Sequence, residues 1–134
     1  MKATDVRLLL TVTVAQIVVS IALRVVSPLT LRRAASRARR IAQSAAHDRE
    51  ERIIWAIEAT GRRLGPVSTC LVRAFVAELL LGSHTRPLRL TVGVKRSAGG
   101  RFESHAWLAD KDRVVIGATS DEFVPLLQWD TPTA

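Results

Sequence analysis

From Leu8 to Leu23 the chain runs L-L-L-T-V-T-V-A-Q-I-V-V-S-I-A-L, sixteen residues without a charge between Arg7 and Arg24. Thr13, Gln16, Ser20 and Arg24 recur at intervals of three, four and four, which draws one narrow polar stripe along an otherwise apolar helix. Thr4 or Asp5 is placed to cap that helix. Pro28, suited to a first turn, opens a second helix over about 29–46. A third helix begins at the acidic cluster Asp48, Glu50 and Glu51, carries Ile53, Ile54, Trp55 and Ile57, and is expected to end between Gly61 and Pro66. A fourth is predicted from Ser68 or Thr69 to Gly82.

After Pro87 the period changes from the helical one to two. Leu88, Leu90, Val92 and Val94 alternate with Arg89, Thr91, Gly93 and Lys95, the signature of a half-buried strand. Ser97 to Gly100 reads as a turn, Arg101 to Ala109 as a second strand, Asp110 to Asp112 as a turn, and Arg113 to Gly117 as a third strand. Helices first and an antiparallel sheet second define an α+β fold, with the fourth helix set against the sheet. At 134 residues the chain is one domain, 1–134, divided into a helical region, 1–47, and the remainder, 48–134.

Charge separates the two regions. Residues 1–65 carry twelve Lys or Arg against five Asp or Glu, whereas residues 66–134 carry eight against seven. Arg24, Arg32, Arg33, Arg37, Arg39 and Arg40 fall within seventeen residues that hold no acid. Such a run is either a solvated helix face or a docking surface for phospholipid headgroups, nucleic acid or an acidic peptide. Nucleic acid is the least supported of these, because no aromatic platform is interleaved and no binding module is present. No nucleic-acid partner is expected.

The uncharged run from Leu8 to Leu23 falls short of the ~20 residues that cross a bilayer. A buried or peripheral helix is the leading reading, ahead of a membrane-inserted helix and of a cleaved signal. Cys70 is the only cysteine, so no internal disulfide can form and a reducing cytoplasm suits the chain. Peripheral contact with a membrane stays open.

Candidate chemistry lies in T-C-L-V-R-A-F-V-A-E-L-L-L-G, residues 69–82, and in S-H-A-W-L thirty-five residues after the cysteine. A cysteine at a helix start faces unpaired N–H groups and the positive end of the dipole, both of which favour thiolate. An adjacent imidazole can take the thiol's proton. On the second strand Phe102, Ser104, Ala106 and Leu108 share one face, and Glu103, His105 and Trp107 the other. If the Cys70 helix covers the His105 face, the two form a catalytic dyad. The plain alternative is a packed core cysteine and a structural histidine. His47 and His84 stand in polar, turn-like surroundings and read as surface residues. No zinc-spaced Cys/His cluster, Gly-rich phosphate loop or Gly-x-Ser-x-Gly elbow occurs, so neither metal nor cofactor is expected.

T-C-L-V-R-A, the following L-L-L, the strand L-T-V-G-V, then F-E-S-H-A-W-L and R-V-V-I-G resemble the lasso-peptide leader peptidases, transglutaminase-like cysteine proteases. The likeness covers about Ile53 to Trp129. It implies a transglutaminase- or papain-like core over 48–134 with Cys70 as nucleophile and His105 as base, and cytoplasmic hydrolysis of a precursor peptide at its leader. It further implies a separate leader-binding protein and a macrolactam-forming cyclase acting afterwards. A third catalytic member, an Asp on the strand after the histidine, has no counterpart in Arg113–Ala118. Asp112 is the first candidate, with Asp121 and Asp110 as alternatives, and a backbone carbonyl can orient His105 instead. The contrasting reading is a non-catalytic scaffold of the same fold that docks a membrane or protein partner through its basic helices. Two surfaces are expected to receive partners: the apolar faces of Leu8–Leu23 and Ile53–Ile57, and the arginines from Arg32 to Arg40.

Overall fold

The computed structural model describes residues 2–83 and 85–131. His84 lies outside them, and His47 is exposed, as expected of a surface residue. Four helices precede a four-stranded sheet: α1 (Ala3–Val25), α2 (Pro28–Ala45), α3 (Glu50–Leu64) and α4 (Cys70–Leu81), then β1 (Arg89–Arg96), β2 (Phe102–Asp110), β3 (Arg113–Ile116) and β4 (Val124–Asp130). The sheet is antiparallel in the order β3-β2-β1-β4. The class is α+β.

α4 is the centre of the molecule. Apart from Arg73 and Glu78 its residues are apolar, and a helix with so little polar surface must be buried on nearly every side. Val72, Phe75, Val76 and Leu80 join Leu90, Ala106, Leu108 and Ile116 of the sheet in one core, and Leu8, Val12, Ile53 and Ile57 of α1 and α3 close it from the other side. α1 is fixed by a buried polar contact as well. Gln16, fully buried, donates to Ile57 O (3.3 Å) and Thr60 Oγ1 (2.8 Å), and accepts from Ser68 Oγ.

The helix boundaries follow the sequence reading except at the start of α1. Lys2, not Thr4 or Asp5, occupies the N-cap of α1; Asp5 sits at the third helical position, accepts from Lys2 N (3.1 Å) and pairs with Arg52. Ser27 caps α2 by accepting from Thr30 N (3.2 Å), and Pro28 begins the helix. α3 ends inside the expected stretch between Gly61 and Pro66, and Gly61 itself is still helical. It lies inside the helix because a Cβ there would stand 2.6 Å from Arg73 Nε and 2.7 Å from Ser68 Oγ, so close packing and not helix termination requires the glycine. The helix stops at Leu64, before Gly65 with φ +58°.

β4 was not anticipated. Pro125 and the non-alternating V-P-L-L disguise it, yet at the sheet edge a proline's missing N–H faces away from the ladder and is tolerated. The strand pairs with β1 through a register shift between Val92 and Gly93.

The arginine-rich segment is divided by its packing. Arg32 donates to Glu78 Oε1 (2.8 Å) and to Asp130 O (2.7 Å). Arg39 donates to Glu78 Oε2 (2.6 Å) and, with Gln43, to carbonyls at the C-terminal end of α4, including Gly82 O. Gly82 O has no helical donor of its own, whereas Glu78 O also accepts from Gly82 N (2.9 Å). Two of the six arginines are therefore structural, while Arg24, Arg33, Arg37 and Arg40 are exposed. Ile53 and Ile57 are core residues, which removes them from the expected docking surface.

Candidate active site

Thr69 caps α4, its Oγ1 accepting from Val72 N (3.2 Å), and so places Cys70 at the first helical position, half-buried, among N–H groups that no helical carbonyl satisfies. Cys70 opens onto a cavity of about 500 Å³ lined also by Glu58, Ser68, Arg73, His105 and residues 115–118.

His105 lies on the sheet face opposite Ala106 and Leu108, and α4 packs on the Ala106 and Leu108 side. The helix thus does not cover the His105 face. The two residues share the cavity beyond the end of the β2–β3 ladder, whose last pair is Leu108↔Ile116. No hydrogen bond joins thiol to imidazole. Nε2 of His105 stands 2.6 Å from Gly117 O. A carbonyl only accepts, so Nε2 carries the proton in this contact and Nδ1 is left as the basic nitrogen. Trp107 and Phe123 flank the ring, with centroids 6.1 and 5.3 Å away. Gly93, directly across from His105, keeps this face open; a Cβ there would come within 2.9 Å of both Trp107 and Phe123.

None of the three candidate carboxylates hydrogen-bonds to His105. Asp110 is held by Arg86 (3.1 Å) and Arg113 (3.7 Å) at the far end of β2. Asp112 is exposed in the β2–β3 turn. Asp121 pairs with Lys95 at 2.7 Å, and this carboxylate is the main reason the Lys95 ammonium is held above its ordinary pKa. Asp121 also lines a neighbouring cavity with Trp107, Gly117 and Phe123. The group that does meet the imidazole is the backbone carbonyl, the option weighed beside the three aspartates.

Two contributors were not singled out from the sequence. Gly117, the last residue of R-V-V-I-G, has φ +91°, and a Cβ on it would lie 2.8 Å from Ala106 O. A glycine closing a strand was the available signal. Arg73 lies one helical turn after Cys70, and its Nε donates to Ser68 Oγ (2.9 Å), which continues through Gln16 into α1. An arginine three residues after the cysteine on an apolar helix was its signal.

Gly117→Ala should therefore lower the melting temperature, since a non-glycine residue at this φ costs about 1–3 kcal/mol, and should also slow alkylation of Cys70 at neutral pH. Gly99→Ala, where nothing stands within 4 Å of the added methyl, is the matched control. Equal thermal curves and equal alkylation rates for the two variants would show that the Gly117 carbonyl does not depend on this backbone geometry.

A helix-borne thiol opening on a cleft shared with a sheet-borne imidazole, in an α+β core, defines a transglutaminase-like protein. The family model of the transglutaminase-like superfamily matches residues 13–128, from within α1 into β4, and the chain belongs to that superfamily. No curated protein and no solved structure matches it.

Proposed function

We propose that this chain is a cytoplasmic cysteine peptidase that removes the leader from a ribosomally made lasso-peptide precursor, aided by a separate leader-binding protein and followed by a macrolactam-forming cyclase. The observation that carries the reading is that Cys70 and His105 line one cleft, with the Nδ1 of His105 free and its Nε2 donating to Gly117 O. Membership of the superfamily supports thiol chemistry at such a cleft. The T-C-L-V-R-A and F-E-S-H-A-W-L runs support the leader-peptidase specialisation.

In this reading Nδ1 accepts the thiol proton, and Sγ attacks the scissile carbonyl carbon. The tetrahedral intermediate collapses as the C–N bond breaks, and the imidazolium gives its proton to the departing amine. Water, deprotonated by Nδ1, then attacks the thioester, releasing the leader's carboxylate and restoring the thiol. The Gly117 carbonyl orients the ring and stabilises the imidazolium, the task an aspartate carries out in triads with a carboxylate. A short thiol–imidazole contact is not required before substrate arrives, because catalytic hydrogen bonds often tighten only in the substrate complex.

The size of the site supports the leader-binding protein in this reading. A cavity of about 500 Å³ holds a few residues around a scissile bond, too few to select one leader among cellular peptides. Tethering the precursor through a second protein raises its local concentration to roughly the mM range. Incubating the protein with a precursor and its leader-binding protein, and following the products by mass spectrometry, should give leader and core fragments. Omitting the leader-binding protein should slow the reaction. Intact precursor after incubation with both would overturn the proposal, and equal rates with and without the leader-binding protein would remove that partner from it.

The unbonded thiol and imidazole favour a second reading, a non-catalytic scaffold with a packed cysteine. Alkylation separates the two. His105→Ala should slow the reaction of Cys70 with iodoacetamide at neutral pH if the imidazole activates the thiol, and leave it unchanged in a scaffold.

A further inference from the structure

α1 has a second apolar face that no part of the described chain covers. Leu10, Val14, Val18, Ile21 and Val25 recur at intervals of four, four, three and four, and each is more than half exposed. A single soluble domain rarely leaves a continuous apolar stripe along a 23-residue helix. The surroundings of the stripe carry one sign of charge. Residues 6–47 hold seven arginines and no acid. Arg32 and Arg39 turn inward to Glu78, whereas Arg7 and Arg24, at the two ends of the stripe, and Arg33, Arg37 and Arg40, on one face of α2, are exposed. None of these five makes an ion pair among the described residues. α1 and α2 both rest on α4 and on each other, which sets the basic α2 beside α1, and Arg33 and Arg37 also border a cleft next to Gln128, Trp129 and Asp130 of β4.

We propose that the outward face of the α1–α2 hairpin docks the protein on an anionic phospholipid bilayer, with α1 lying in the plane of the interface and not crossing it. Gln16 and the core residues Leu8, Val12 and Val19 bind the opposite face of α1 to α3 and to the segment before α4, so a crossing helix would leave the Gln16 and Ser68 contacts without partners. The exposed stripe alone is available to lipid. An apolar face sunk at the headgroup boundary and flanked by arginines matches the chemistry of an interfacial helix. A second copy of this chain is disfavoured, because joining two stripes would bring the unpaired arginines of one copy against those of the other.

The inference stands apart from the peptidase reading, since lipid binding is measured without substrate. Full-length protein is sedimented with vesicles of phosphatidylcholine containing about one-third phosphatidylglycerol, and with phosphatidylcholine alone. Wild-type protein should pellet with the anionic vesicles and be partly released by high salt. Val14→Glu with Val18→Glu should abolish pelleting, and Arg33→Glu with Arg37→Glu should weaken it at least about tenfold. Both substituted pairs are exposed, and thermal unfolding confirms that each variant is folded. Wild-type protein that stays in solution with both kinds of vesicle, or folded variants that pellet as wild type does, would overturn the proposal. So would a wild-type dimer in light scattering that Val14→Glu with Val18→Glu dissociates, which assigns the stripe to a second copy.

Discussion

Replacing Cys70 with alanine should abolish leader cleavage and leave the fold intact. In the proposed mechanism Sγ is the atom that becomes acylated, and no neighbouring group can take its place: Ser68 Oγ is engaged with Gln16 and Arg73. Removing the nucleophile from enzymes that act through a covalent intermediate lowers turnover by about 10⁴-fold or more. Stability should change little. Alanine has the highest helix propensity, Cys70 is only half-buried, and the lost sulfur is worth about 1 kcal/mol of apolar contact. Mass spectrometry of the precursor reads the first effect and thermal unfolding the second. A folded Cys70→Ala protein that cleaves at the wild-type rate would end the peptidase reading.

The second large effect is on stability and lies far from the cleft. Glu78 is 3% exposed, and its two carboxylate oxygens each receive one guanidinium, Arg32 at 2.8 Å and Arg39 at 2.6 Å. Glu78→Gln keeps the shape of the side chain but puts an N–H donor opposite one arginine and leaves the buried Arg32 and the half-buried Arg39 without a counter-charge. Breaking a buried pair from one side typically costs about 3–5 kcal/mol, which for a domain of this size lowers the melting temperature by about 10–20 °C. The same physics makes Arg39 unsuitable for probing partner binding by charge reversal, since the variant would lose the bonds that close the end of α4. Arg40→Gln, on the exposed side of α2, should shift stability by no more than about 0.5 kcal/mol. If Glu78→Gln melts together with Arg40→Gln, the buried pairing contributes nothing measurable and the apolar packing of α4 alone holds the helices on the sheet.

Much of the candidate site was legible because it depends on local chemistry. Thr69 before Cys70 is a helix-start pattern, and the start of α4 follows from it. The alternation around His105 assigned it correctly to the face away from Ala106 and Leu108. Which layer covers that face is not a local property, and here α4 took the other side. The partner of the imidazole was hidden for a similar reason. A search for a third side chain looks among carboxylates, but the group in place is a main-chain carbonyl, and every residue has one. Only the φ of +91° at Gly117 aims this particular carbonyl at Nε2.

By itself the sequence determined the four helices, the first three strands, the α+β order and the position of the thiol at a helix start. All of these follow from the hydrophobic period, caps and turn residues within a few positions of each other. The tertiary structure alone decided that Gly61 continues α3, that β4 closes the sheet beside β1, that Arg32 and Arg39 turn inward while Arg33, Arg37 and Arg40 stay in solvent, and which of the two apolar faces of α1 is buried. The reason is range. Arg32 meets Glu78 across 46 residues and Asp130 across 98, and no local pattern tells an arginine that will find such a partner from one that will not.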